Sequence, residues 1–226
     1  MRMGRTKIAP MAAKPLDIGD LSFARKGDAQ EHFRQILRRH DPGVALSEPD
    51  ATQVYWLLER HPEAAVKIGA GVKEFSTRSA MFDTRCFEIR RIDGSTTDFS
   101  VKPCLDGKAP SAFAETLRAM RTEVFEDIKQ MKWEFFRAST HPDGKAPCAL
   151  TGRLLSLEEA MIDHAPPKTF KALAERFLDE NKIVPSEALL TPAKDNQYTP
   201  HLADSDHAEK WRQFYRANAN PRIVAR

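Results

Sequence analysis

Apolar residues repeat at helical spacing over much of the chain. The clearest run begins at Phe113 and steps by three or four residues as far as Phe135. It predicts a long helix over residues 111–138, with Ser111 as its N-cap. Shorter runs predict further helices, each with one apolar face to bury. Their apolar residues are Phe33, Ile36 and Leu37; Val54, Leu57 and Leu58; Phe170, Leu173 and Phe177; and Trp211, Phe214 and Tyr215.

Other segments alternate with the period of two that is typical of half-buried strands. Residues 85–91 form one such segment, and Asp93-Gly94 is a hairpin signal before a return strand with Phe99 and Val101. Val66 and Ile68 predict a short strand, and Met161 to His164 and Arg222 to Val224 predict two more. The sequence therefore predicts an α+β protein whose N-terminal domain combines helices with an antiparallel sheet.

The order of these elements divides the chain into segments. Residues 1–15 carry Arg2, Arg5, Lys7 and Lys14 and no acid, and we expect a flexible basic arm there. A first domain follows over residues 16–110. The long helix over 111–138 would connect it to a second, smaller domain over 139–226, because His141-Pro142-Asp143-Gly144 is a turn signal.

Composition narrows the class of protein. The 226 residues are 41% hydrophobic and 30% charged, which suits a core-forming, water-soluble protein. No apolar run is long enough for a membrane span, and the start lacks the apolar segment of a secretory signal. Three cysteines indicate a reducing compartment, so we expect a cytoplasmic protein. The net charge of +3 permits a nucleic-acid partner without requiring one.

Short elements between about Leu16 and Cys104 resemble the DCL family, named for defective chloroplasts and leaves. Plant members are associated with maturation of plastid ribosomal RNA, and a related domain lies at the end of a plant RNA polymerase large subunit. The resemblance implies a nucleic-acid-recognition domain without a known active site. The elements are Ser22-Phe23, Lys26-Gly27, Asp50, Leu57-Leu58, His61-Pro62, Lys67-Ile68-Gly69, Gly71, Arg85-Cys86-Phe87, Arg90, Asp93-Gly94, Asp98-Phe99-Ser100 and Cys104.

A second set of elements occurs from about Pro147 onwards: Cys148 to Gly152, Ile162-Asp163-His164, Pro166-Pro167, Thr169-Phe170 and Arg222 to Val224. These resemble an HNH-type nuclease domain, the ββα-metal fold. The resemblance implies that His164 is the general base that deprotonates water. It also implies that Asp163 holds a divalent cation, Mg²⁺ or Mn²⁺.

This chemistry suits the residue types. A divalent cation stabilises the leaving oxygen of a phosphodiester, and a histidine of near-neutral pKa can deprotonate water. We expect no structural zinc, because Thr151 stands where a second cysteine would follow Cys148. The family's second metal ligand is an Asn or His on a helix after the last strand, which would begin where this chain ends. His201, Asp204, Asp206 and His207 are the alternatives.

Basic residues on the predicted sheet are candidates for phosphate contacts, and Lys168 is a candidate in the second domain. The alternative for the sheet is ordinary pairing with Glu74, Glu88 and Asp98. Cys86 and Cys104 are expected to be buried thiols. Trp56, Trp133 and Trp211 are expected in or beside a core. The basic candidates are Lys67, Arg85, Arg90 and Arg91.

Three functions stay open. The first is a metal-dependent endonuclease of the restriction or defence type, with DNA slightly favoured over RNA. The second is a nucleic-acid-binding module without catalysis, for which RNA is the expected ligand. The third is an interaction subunit of a larger nuclease. For the first two we expect a nucleic-acid partner, whereas the third would show neither activity nor affinity in isolation. We expect no membrane, and a homodimer is left open.

Overall fold

The computed structural model describes residues 15–80, 84–139, 141–192 and 199–226. The described chain forms one compact unit up to Ala109 and a second from Pro110 onwards. The expected basic arm lies almost entirely outside the described residues. Within the described ranges, no helix has both the length and the apolar character needed to cross a bilayer.

The first unit packs helices against a three-stranded antiparallel sheet. Phe75, Phe87, Ile89 and Phe99 lie on one face of the sheet and are buried in a core with the apolar faces of the first two helices. The predicted alternation over residues 85–91 is therefore confirmed. The elements are β1 (Leu16–Ile18), β2 (Leu21–Phe23), α1 (Lys26–Arg39), α2 (Glu48–Glu59), α3 (Ala64–Ile68), β3 (Val72–Ala80), β4 (Thr84–Arg91), β5 (Thr96–Phe99) and α4 (Val101–Asp106).

A buried carboxylate joins the end of α1 to the start of α2. Asp50 lies in the first turn of α2 and is 4% exposed. Its Oδ2 accepts a hydrogen bond from Nε of Arg39 at 2.8 Å and lies 2.6 Å from Nε2 of His40. Because a buried charge is stable only when it is paired, these contacts fix how the two helices meet.

Two predicted strand positions in this unit are wrong. Val66 and Ile68 lie in the short helix α3, and Val101 begins α4 directly after β5 ends at Phe99. One apolar residue on each side of a polar residue fits a single helical turn as well as a strand. A run of three residues therefore does not distinguish a helix from a strand.

The second unit contains four helices and four short strands among the described residues. Its larger core combines α5 to α8 and includes Met120, Val124, Leu173, Phe177 and Trp211. The expected α+β class is confirmed by the two units together. The elements are α5 (Ala112–Glu123), α6 (Phe125–Arg137), β6 (Ala146–Pro147), β7 (Leu154–Leu155), β8 (Ala160–His164), α7 (Phe170–Glu180), a 3-10 turn (Glu187–Leu189), α8 (Ser205–Asn218) and β9 (Pro221–Ala225).

The long connecting helix is two helices, and both belong to the second unit. Ser111 caps α5 as expected, with its side chain accepting from the amide of Ala114. Val124 then leaves the helical conformation, with φ −109° and ψ 15°, and α6 begins at Phe125. The apolar spacing stays in register across the break, and for that reason the sequence predicts one helix. The predicted boundary near residue 139 moves to Pro110.

The strands β8 and β9 form an antiparallel pair, with Ile162 opposite Ile223 and Asp163 opposite Arg222. Both strands are where the sequence predicts them. Ile162 and Ile223 face a small core shared with Cys148 and Leu155. In the chain, α7 and α8 lie between the two strands. This pair therefore positions the candidate residues Asp163 and His164.

Candidate functional site

Asp163 and His164 occupy opposite faces of β8, as neighbouring residues of a strand do. The Oδ2 atom of Asp163 accepts hydrogen bonds from Nε and Nη2 of Arg222, at 2.8 and 2.6 Å. His164 is 5% exposed, and its Nε2 lies 2.7 Å from the hydroxyl oxygen of Tyr215. The general base and the cation ligand that the HNH resemblance implies therefore face opposite sides of the strand.

The imidazole of His164 lies among aromatic rings. Its ring centre is 5.6 Å from those of Phe170 and Tyr215. Burial lowers the pKa of His164, and the positive charge of Arg121 acts in the same direction. Burial also raises the pKa of Tyr215, so its hydroxyl keeps its proton and can donate it to Nε2 of a neutral imidazole.

Asp163 does not fit the role of metal ligand. The hydrogen bonds from Arg222 hold the pKa of Asp163 below its ordinary value, so the carboxylate is charged but already neutralised. No group of three or more His, Cys, Asp or Glu side chains that could hold a metal occurs in the described ranges. These residues therefore do not fit the Mg²⁺ or Mn²⁺ site that the HNH resemblance implies.

Two of the four alternative metal ligands, Asp204 and His201, have other partners. Asp204 caps α8, with Oδ1 accepting from the amides of Asp206 and His207 at 2.8 and 3.0 Å. Nδ1 of His201 lies 3.0 Å from Oε1 of Glu123. These contacts fix the start of α8 and the loop before it.

The basic residues expected to line an exposed sheet face mostly support the fold. Arg91 is buried, and its Nε and Nη2 donate to the carbonyls of Lys67 and Val66 at 3.0 and 3.1 Å. Nη1 of Arg85 donates to the carbonyl of His40 at 2.9 Å, just beyond the end of α1. These are contacts within the domain. Arg91 is too deeply buried to contact a phosphate, whereas Arg85 is exposed and its phosphate contact stays a prediction.

The remaining sheet candidates have nearby partners too. Arg90 pairs with Glu74 at 3.2 Å, as the alternative interpretation expected. Nζ of Lys67 donates to Oγ1 of Thr97 at 3.3 Å. Lys168, in contrast, is exposed in the segment between β8 and α7.

Trp133 is a surface residue that the sequence interpretation placed in or beside a core. It is 52% exposed on α6. Lys129 and Arg137 lie four residues before and after it, so the three side chains share one side of the helix. The signal was present in the sequence, because Trp133 is out of phase with the apolar series that begins at Phe113.

Arg121 is a second residue that the sequence interpretation missed. It lies on α5, and its guanidinium carbon is 4.2 Å from the centre of the Phe170 ring. Arg121 is exposed to solvent. No carboxylate and no hydrogen-bond acceptor of the described chain pairs with it, and burial lowers its pKa. No signal in the sequence distinguishes Arg121 from the other basic residues of this helix.

Residues 34–105 match the family model described as "Protein of unknown function (DUF3223)". A DUF3223 domain therefore occupies residues 34–105. It lies within the first unit and contains α1 from Arg34 onwards, α2, the three-stranded sheet and most of α4. Asp163, His164, Arg121 and Trp133 lie outside the matched residues.

Two curated proteins of Arabidopsis thaliana are similar to part of this chain. "DNA-directed RNA polymerase IV subunit 1" is 37% identical over 78 residues, and "Protein EMBRYO DEFECTIVE 514" is 28% identical over 98 residues. The matches cover 34% and 42% of this chain. They cover only 5% and 48% of those relatives, so the chain spans less than half the length of either.

One solved structure is also similar, the solution NMR structure of an uncharacterized protein from Rhodospirillum rubrum. It shares 44% sequence identity over 42% of this chain and 90% of its own length, with a TM-score of 0.39.

Proposed function

We propose that the protein binds nucleic acid without cutting it. The observation that carries this choice is the separation of Asp163 and His164 on β8, each held by a different side chain. A hydrolytic site needs a base with access to water and a cation beside the phosphate. A buried imidazole and a carboxylate already paired with arginine supply neither. The predicted endonuclease activity stays a prediction, which the cleavage assay below tests.

The similarity of the first unit supports a nucleic-acid-linked role. Its DUF3223 domain coincides with the segment that resembles the DCL family in sequence. One similar protein is by name a subunit of a DNA-directed RNA polymerase. We infer that this domain belongs to proteins that work on or beside nucleic acid, and that RNA is the ligand of this chain.

Trp133 offers a contact surface for a single strand. Aromatic side chains stack on unpaired bases, and flanking cations contact the phosphates. Lys129 and Arg137 lie on either side of Trp133 along the helix. Lys129 also pairs with Glu126 at 3.0 Å, and both side chains are more than half exposed. Because exposed ion pairs contribute little, a phosphate can replace this carboxylate at small cost.

The experiment is a binding titration of the full chain with labelled single-stranded RNA, duplex RNA and duplex DNA. We expect tightest binding to the single strand, weakened by salt. Trp133→Ala should weaken this binding about tenfold, since stacking on one base contributes ~1–3 kcal/mol. Trp133→Phe should retain most of the affinity. Equal affinity of the wild type and Trp133→Ala would remove α6 from the interface, and no binding by the wild type would overturn the proposed function.

A further inference from the structure

Arg121 occupies an unusual electrostatic position in the second unit. Its guanidinium lies over the Phe170 ring, 4.2 Å from the ring centre. Phe170 in turn packs against His164 and Tyr215, with ring centres 5.6 and 6.1 Å away. The guanidinium therefore stands at the edge of the buried His164–Tyr215 pair.

The donors of Arg121 have no protein acceptor in the described part of the chain. Other arginines of this unit have carboxylate partners, such as Arg212 with Glu123 at 2.7 Å and Arg216 with Asp127 at 2.8 Å. A guanidinium that rests on an aromatic ring uses its face for that contact. The N–H groups of a guanidinium form a fork that matches two oxygens of a phosphate.

The surroundings of Arg121 favour an anion. Its neighbours are rings and the uncharged His164–Tyr215 pair, which leave its charge unneutralised and partly desolvated. A positive charge without a counter-ion attracts an anion from solvent. Lys168 is exposed and lies two positions before Phe170 in the chain, so it is a candidate for a second cation at this site. Arg121 is itself exposed, which gives a ligand access.

We propose that Arg121 and Lys168 form a phosphate-binding site beside the Phe170 ring, with Arg121 as the bidentate contact. The phosphate is either a backbone group of a nucleic-acid strand or a free phosphate ion. In the first case the site rests on the proposed function and extends its interface. In the second case the site does not depend on the proposed function.

The test uses the ¹⁵N-labelled full chain and the NMR signal of the Arg121 Nε–Hε group. That signal is identified as the one missing in Arg121→Gln. One arm adds inorganic phosphate, the other a short RNA strand without terminal phosphates, and both hold ionic strength constant with chloride. We expect the signal to move saturably in at least one arm. A shift of the signal on adding inorganic phosphate identifies a free phosphate as the ligand. A shift with RNA but not with inorganic phosphate identifies a backbone phosphate.

Two variants make the result specific. Arg118→Gln removes an arginine on the same helix that pairs with Glu115 at 3.6 Å, and it should leave affinity unchanged. Arg121→Lys keeps the charge but loses the fork, so affinity should fall about tenfold. Circular dichroism checks that each variant is folded. If Arg121→Gln does not fold, Arg121→Lys is used for the test.

The proposal is overturned if the Arg121 signal responds to neither probe. It is also overturned if the amide signal of Lys168 shifts equally in the wild type and Arg121→Gln during a titration. The Trp133 variants distinguish this site from the proposed function. In Trp133→Ala, RNA binding should be weakened while the Arg121 signal still responds to inorganic phosphate.

Discussion

Nε2 of His164 lies 2.7 Å from the hydroxyl oxygen of Tyr215, and both side chains are buried. This contact joins the end of β8 to α8 across 51 positions of sequence. The imidazole atom that could take a proton from water is therefore occupied by a structural hydrogen bond. His164 contributes to the stability of the second unit, and its neighbour Asp163 contributes separately on the other face of the strand.

Tyr215→Phe should destabilise the protein. The substitution keeps the ring and removes the hydroxyl, which leaves Nε2 of His164 buried without its partner. Leaving a buried polar group unsatisfied costs about 1–3 kcal/mol. Urea unfolding followed by circular dichroism measures the change. Tyr55→Phe removes a hydroxyl from a tyrosine that is 37% exposed and should leave the free energy of unfolding unchanged. An unchanged free energy of unfolding in Tyr215→Phe would contradict the structural role.

His164 should make the protein less stable in mild acid. Burial holds its pKa below the ordinary value, so the unfolded chain binds the proton first as pH falls. The stability from the neutral imidazole is complete above the unfolded pKa of about 6.5 and is lost as pH falls towards the folded pKa. His164→Asn should flatten the pH dependence of unfolding between about pH 7 and pH 5.

The difference between the wild type and His164→Asn isolates the contribution of His164 to the pH dependence of unfolding. His61, in the first unit, has a pKa lowered by burial and contributes an acid-dependent loss that remains in the variant. A wild type and variant with parallel stability profiles over this range would show that His164 does not titrate differently in the folded state.

Asp163 should behave as an ion-pair partner of Arg222. The side chains of Asp163 and Arg222 are 39% and 28% exposed, so Asp163→Ala should cost about 0.5–1 kcal/mol. A double-mutant cycle with Arg222→Ala measures the coupling. Because the carboxylate is already paired, Mg²⁺ should leave the melting temperature of the wild type unchanged. A rise with Mg²⁺ that Asp163→Ala abolishes would instead identify a metal ligand.

Cys148 should titrate well below the other two cysteines. A hydrogen bond from the Thr151 side chain, aided by the backbone amide of Leu150, lowers the pKa of Cys148 to about 7. Burial raises the pKa of Cys86 and of Cys104 to about 12. Thiolate absorbance should therefore show one group ionising near neutrality, and Thr151→Val should move that step upwards. Three thiols ionising together at high pH would contradict this assignment.

The sequence predicted those elements whose apolar spacing extends over several turns or a full hairpin. Phe33, Ile36 and Leu37 are buried on α1 as predicted, and the hairpin at Asp93-Gly94 joins β4 to β5. It failed where the pattern was short, as at Val66, or continued across a backbone break, as at Val124. Neither case leaves a trace in the spacing of apolar residues.

The candidate site shows a different limit. Asp163 and His164 were correctly placed on a strand, and the period of two already sends their side chains to opposite faces. Their partners, Arg222 and Tyr215, follow from tertiary packing and could not be predicted. The ring beneath Arg121 comes from another helix, so the position of this arginine also depends on the assembled fold.

The most direct test of the central claim is one titration of 5′-labelled single-stranded RNA with the full chain. It is run in Mg²⁺ and in EDTA, and each sample is then separated on a denaturing gel. The account predicts saturable binding of equal affinity in both solutions and an intact strand throughout. Shortened strands in Mg²⁺ that disappear in EDTA and in His164→Ala would contradict it and restore the hydrolytic role of His164.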